Sequence, residues 1–122
     1  LAALVGPKLM GRTDDAKLTD ARVQIKNIET ALKLYKLDSG SYPSTEQGLS
    51  ALVAKPTVGV IPKGYKDEGY LESKKVPKDP WGNDYLYVSP GEHGDYDLFT
   101  YGADGAKGGE GKNIDITSWD TK

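Results

Sequence analysis

The sequence predicts an α+β fold, a long helix laid over a small antiparallel sheet, and two patterns in its order lead there. Early in the chain, Leu18, Ala21, Ile25, Ile28, Leu32 and Tyr35 recur at spacings of 3, 4, 3, 4 and 3, one apolar stripe on a helix of 3.6 residues per turn. Late in the chain, short runs rich in aromatic and β-branched residues are separated by glycine, proline and aspartate, the composition of strands and turns. A helix with one apolar stripe needs a surface to bury it against, and a sheet supplies that surface.

With 122 residues, 37% hydrophobic and 28% charged, the chain is long enough for one core and reads as a single domain, 1–122. There is no cysteine, which excludes disulfide staples, thiolate catalysis and thiolate zinc sites. A net charge of -2 argues against a general nucleic-acid binder. The charge is unevenly spread: residues 1–66 hold ten Lys/Arg against six Asp/Glu, and residues 67–122 hold six against twelve.

Taking the elements in order, Leu1 to Val5 followed by Gly6-Pro7 is apolar until Lys8, and the run to Met10 is too short to span a bilayer. It lacks an initiator methionine and a signal-peptide layout, so the expectation is that the chain begins partway through its natural protein. Pro7 lacks an amide donor and is expected to weaken or kink a helix running through it. From Thr13, with Thr13 or Asp14 as cap, the striped helix should run to Asp38-Ser39-Gly40, where glycine suits a left-handed cap. A heptad coiled coil fits the same spacing but is supported by one shared stripe only. Ser44-Thr45-Glu46-Gln47 has the form of a capping box and predicts a short second helix to about Ala54, ended by Pro56. Residues 55–80 carry four prolines and three glycines and predict an ordered connecting loop. Asp79-Pro80-Trp81-Gly82-Asn83 is a turn. Asp84 to Val88, Tyr96 to Thr100 and Ile114 to Trp119 are three strands, the first two a hairpin.

The segment from Tyr96 to Trp119 holds the candidate site. Five glycines stand at 102, 105, 108, 109 and 111, which lets the backbone turn its carbonyls inward, and Asp104 and Asp115 bracket the stretch. A hard divalent cation such as calcium takes six to eight oxygens of this kind; the alternative is a plain solvated loop between strands. Gly108 to Asn113 matches one unit of a calcium-binding nonapeptide repeat only weakly, and the unit does not recur. His93 is the only histidine, so neither a multi-histidine zinc site nor a histidine-based catalytic pair is built, and it is read as a turn residue. Asp95 and Asp97 alternate on a strand and could suggest paired carboxylates, but are read as solvated edge charge. Trp81, Trp119 and the eight tyrosines are read as core and sheet-surface residues.

The series LVGPKLMGR, KLYKLDSGSYPSTEQGLSAL, KDPWGNDYLYVSPGEHGDYDLFTYGADG and DITSW, in that order, resembles the major pseudopilins of bacterial type II secretion systems. The resemblance implies a type IV pilin-like fold, with the N-terminal helix at 1–39, a short helix and variable loop at 40–83, and the sheet with a calcium-binding C-terminal loop at 84–122. It implies about fifteen further apolar residues before Leu1, which with Leu1 to Val5 would make a membrane-spanning helix; residues 1–10 would be its truncated remainder and a packing surface in a filament, with Gly6-Pro7 a point where the helix loosens. It also implies a homopolymeric filament in the periplasm, subunits waiting in the inner membrane, and as partners minor pseudopilins, a prepilin peptidase, an assembly ATPase with its inner-membrane platform, and an outer-membrane secretin. By position in the family, Asp104 and Asp115 would bind calcium through side chains and Tyr101 through its carbonyl. Where some relatives have extra aspartates this chain reads Glu110-Gly111-Lys112-Asn113, which leaves Glu110 as a further candidate. A soluble calcium-dependent module binding a glycan or protein is the alternative function.

Overall fold

The structure, a computed structural model, describes residues 2–103, 105 and 115–119, and side chains from Asp14 onward. Helix α1 covers Ala2–Ser39, 38 residues and about 57 Å at 1.5 Å per residue. The sequence start at Thr13 is therefore corrected: Thr13 and Asp14 lie inside a helix that is already under way and have no N-terminus to cap. Helical backbone continues through Gly6-Pro7, because a proline near the start of a long helix forfeits one hydrogen bond among many. The C-terminus is as expected, with the Gly40 amide donating to the Lys36 carbonyl at 2.7 Å. No helix among the described residues is long and apolar enough to cross a membrane.

The stripe packs as its spacing predicts. Ala21, Ile25, Ile28, Leu32 and Tyr35 are buried, Ala31 joins them, and Leu18 is half-buried against the same cluster. Opposite stands a three-stranded antiparallel sheet of β1 (Leu86–Val88), β2 (Asp97–Thr100) and β3 (Ile116–Thr117), in that order. The strands are shorter than the sequence runs, and an isolated bridge from Lys78 to Asp84 precedes β1. Register pairs Tyr87 with Leu98 and Thr100 with Ile116, and all four are buried on the face toward α1.

Tyrosines fasten the layers. The Tyr85 hydroxyl donates to Gln24 Oε1, that of Tyr96 to Glu29 Oε2 at 3.0 Å, and that of Tyr87 to the Pro43 carbonyl at 2.6 Å. Each ring buries apolar area while its hydroxyl keeps a partner. Over residues 55–80, Tyr35, Tyr65 and Tyr70 pack edge to face with centroids 5.3 to 6.2 Å apart. Tyr70 also donates to Asp38 at 2.8 Å, so the connecting loop is ordered without regular structure.

The second helix is a correction. Both capping-box bonds form, the Gln47 amide to Ser44 Oγ at 3.1 Å and the Ser44 amide to Gln47 Oε1 at 3.0 Å. They close a turn, because Gly48 then takes φ +65° and breaks the chain out of helical geometry. Only a 3₁₀ turn, Leu49–Leu52, follows. The Gln47 side chain has a second use that the capping box does not foretell: its Nε2 donates to the carbonyls of Val58 and Val60, both at 2.8 Å.

Candidate functional site

The predicted site grows from one end of the sheet. Phe99 pairs with Thr117 and Thr100 with Ile116, and one further step in that antiparallel register sets Tyr101 opposite Asp115. Both line a groove of about 240 Å³ on the outer face of the sheet. Directly after Tyr101 the chain turns, with Gly102 at φ +84°, Gly105 at φ +64° and the Gly105 amide donating to the Gly102 carbonyl at 3.2 Å. Two left-handed positions three residues apart are what glycine is needed for here. The sequence-predicted ligands Tyr101 and Asp115 are thus brought to the same end of the sheet; Asp104 and Glu110 lie outside the described residues. Among the described residues, no three carboxylate or imidazole side chains gather closely enough to hold a metal ion.

A buried carboxylate that the sequence reading did not single out anchors this end. Asp79, 3% exposed, takes hydrogen bonds on Oδ1 from the amides of Trp81 at 3.0 Å and Asn83 at 2.8 Å. Its Oδ2 receives the Thr100 hydroxyl. The turn is the predicted one, closed by the Gly82 amide on the Asp79 carbonyl at 2.9 Å, and the aspartate that begins it reaches across to β2. The signal was present in Asp-Pro-Trp-Gly-Asn, since aspartate at the start of a turn bonds amides two and four residues on; the cross-strand partner was not.

Asp97 corrects the reading of solvated edge charge. It lies on the outer face of β2, yet it is 5% exposed because residues 91–93 fold back over it. The amides of Glu92 and His93 donate to its two oxygens at 3.0 and 3.1 Å, and His93 Nδ1 stands 3.2 Å away. Burial pushes the carboxyl up, and these hydrogen bonds outweigh it, holding the group below the ordinary value of 3.8. The fold-back is tight. A Cβ on Gly91 would fall 2.5 Å from Asp97 Oδ1 and 2.6 Å from the Tyr96 carbonyl carbon. Asp95 stays exposed, so the two aspartates form no catalytic pair. His93 is the exposed turn residue expected, and it does more than close the turn: its ring stacks on Trp119 at 3.9 Å with planes 5° apart, and Trp119 packs edge to face on Phe99.

What this end of the molecule offers chemically is a set of hard oxygens and fixed backbone, with no nucleophile aligned to a base among the described residues. A wider groove of about 540 Å³ runs between α1 and residues 70–77 and is lined by Ile28, Leu34, Tyr70, Leu71 and Pro77 among others; neither Tyr101 nor Asp115 lines it.

Comparison with known proteins covers almost the whole chain. Residues 8–119 match the family described as type II secretion system (T2SS), protein G. The chain is 54% identical over 120 residues to the type II secretion system core protein G of Pseudomonas aeruginosa, covering 98% of this chain and 83% of that protein. It is 51% identical over 119 residues to the protein of the same name from Vibrio cholerae, covering 98% and 80%. Among solved structures it is similar to the crystal structure of the major pseudopilin from the type 2 secretion system of enterohaemorrhagic Escherichia coli, with TM-score 0.79 and 42% identity over 91% of this chain and 89% of that one.

Proposed function

The chain belongs to the type II secretion system protein G family, the major pseudopilins, and on that premise we propose that its copies polymerise head to tail into a helical filament that drives folded proteins through the outer membrane. It is a structural subunit of the secretion pseudopilus, a component of the cell envelope, and not an enzyme. Supporting the filament reading above all is the family match over residues 8–119 together with the likeness of fold over 91% of the chain. Unlike surfaces meeting between copies give an open series rather than a closed ring. Before assembly the subunit waits in the inner membrane, held by apolar residues upstream of Leu1; prepilin peptidase, assembly ATPase and platform, minor pseudopilins and secretin are its partners. Expression of the full-length protein with its secretion genes, followed by shearing and electron microscopy, tests this: filaments that label for the chain are expected, and their absence overturns the reading. The reading as a soluble calcium-dependent binding module gains no support.

The C-terminal loop is assigned a calcium ion held by the carboxylates of Asp104 and Asp115 and the Tyr101 carbonyl, with Glu110 as a further ligand. In favour are the placement of Tyr101 and Asp115 at facing strand ends and a donor set made of hard oxygens. When bound, the ion supplies a cross-link between the two ends of the loop. At a hundred times its dissociation constant it adds about 2.7 kcal/mol to stability. Thermal melts with calcium and with chelator check this: a midpoint raised by calcium is expected, and identical midpoints refute the site.

A further inference from the structure

We infer that His93 and Trp119 are positioning residues for the calcium ion: their stacked rings hold the far end of β3 and so set Asp115 opposite Tyr101, an inference that deepens the calcium reading above and rests on it. On the outer face of the sheet four rings form a row. His93 lies on Trp119 with centroids 3.9 Å and planes 5° apart, Trp119 meets Phe99 edge to face at 5.8 Å, and Phe99 meets Tyr101 at 5.4 Å. None of the four belongs to the buried cluster between α1 and the sheet, so the row is not what holds the core. It starts at residues 91–93, which fold over Asp97, and ends at a residue assigned to the ion.

The row matters because β3 is short. Its ladder is Ile116–Thr117 alone, below the usual length of a strand, and so little a ladder fixes its own place weakly. Asp115 precedes it. At the other end the Ser118 amide donates to the Leu98 carbonyl at 2.7 Å, Ser118 Oγ accepts from the Leu98 amide at 3.2 Å, and Trp119 then lies against both His93 and Phe99. His93 is a fixed platform for it. The Asp97 carboxylate only accepts, so Nδ1, 3.2 Å from Oδ2, carries the hydrogen, while the His93 amide donates to Oδ1 at 3.1 Å. Ring and backbone are tied to one buried aspartate although the histidine side chain is 44% exposed, which keeps the imidazole parallel to the indole. A ligand holds its geometry when the residues behind it are locked by packing of their own. Stack and ion are then linked: whatever the stack adds to calcium affinity, calcium adds to the stability of the stack.

Calorimetric titration of the calcium-free chain with calcium chloride tests this. Trp119→Ala and His93→Ala should each raise the Kd about fivefold or more. Trp119→Phe, which keeps a ring on the histidine, should retain most of the affinity. Ile28→Val, which loosens the core away from the row, should leave the Kd as it was. By reciprocity, calcium should slow exchange of the Glu92 and His93 amides in the unaltered chain and not in Trp119→Ala. An unchanged Kd in Trp119→Ala and His93→Ala, a loss as large in Ile28→Val, or Glu92 and His93 amides that exchange alike with and without calcium overturns the positioning role and leaves the calcium reading standing. An unaltered chain that takes up no calcium removes both.

Discussion

The face between α1 and the sheet is held by apolar area and tyrosine hydroxyls, whereas the outer end of the sheet is held by carboxylates that collect backbone amides. Ile25, Ile28, Leu32 and Leu98 are at most 1% exposed, and their side chains carry no polar atom. Asp79 and Asp97 are nearly as buried, and each satisfies three donors. Burial of apolar surface is non-directional and spread over many contacts, while a buried carboxylate works through a few fixed bonds and fails when one partner goes. The two regions should therefore respond to different perturbations.

The largest effect is expected from Leu32→Ala. At a fully buried position this costs about 3 to 5 kcal/mol, read as a shift of the urea midpoint, and it should be the same with and without calcium. Next comes Asp97→Ala, which leaves the amides of Glu92 and His93 without their acceptor and costs about 2 to 3 kcal/mol. Gly91→Ala should act in the same direction, since its Cβ has no room beside Asp97. The proposed calcium ion comes third: the roughly 2.7 kcal/mol expected of it at a hundred times its dissociation constant should vanish in Asp115→Ala, while the helical circular dichroism of α1 is kept. The smallest effect belongs to the Lys78–Asp84 pair, 3.7 Å apart with side chains 65% and 81% exposed; Lys78→Ala should leave the midpoint unchanged within error.

Titration separates the regions by sign. Asp97 is depressed when folded, so its contribution is present above the ordinary carboxylate value of 3.8 and is lost as pH falls through its lower folded value. Asp97→Asn should flatten the acid limb of stability below about pH 4. The tyrosines do the opposite. Burial pushes Tyr70 and Tyr87 up to about 12, with the Asp38 carboxylate adding to the shift of Tyr70. Burial raises Tyr85 and Tyr96 further, helped by the charges of Asp79 and Glu29 respectively. Raised groups stabilise fully below the unfolded value of 10 and lose that contribution as pH climbs through their folded values. Tyr96→Phe should therefore soften the alkaline limb and leave the acid limb as it was.

The same contrast explains what could be read before the structure. The stripe from Leu18 to Tyr35 was legible because periodicity states a whole face at once, and the three strands followed from composition and turns. The start of α1 was misplaced at Thr13 by the local signals, because Gly6-Pro7 and a good capping residue outweighed an apolar run with no break of its own, whereas the family resemblance implied a helix over 1–39. The capping box at Ser44 was read correctly as bonds and wrongly as a helix, since Gly48 overrides it. Asp79 was placed in its turn but not joined to Thr100, 21 residues on, and Asp97 was given to solvent because nothing local announces that residues 91–93 fold over it. Of the predicted calcium ligands, strand register brings Tyr101 and Asp115 to one end of the sheet, a pairing that spacing alone does not state.

Hydrogen exchange of the chain with calcium and with chelator tests the central claim, that an ion fixes the C-terminal end while burial fixes the helix. Calcium should slow exchange of the amides at 101–105 and 115–118 and leave those of Ala21 to Tyr35 unchanged. Equal protection of the C-terminal amides in both conditions would contradict it.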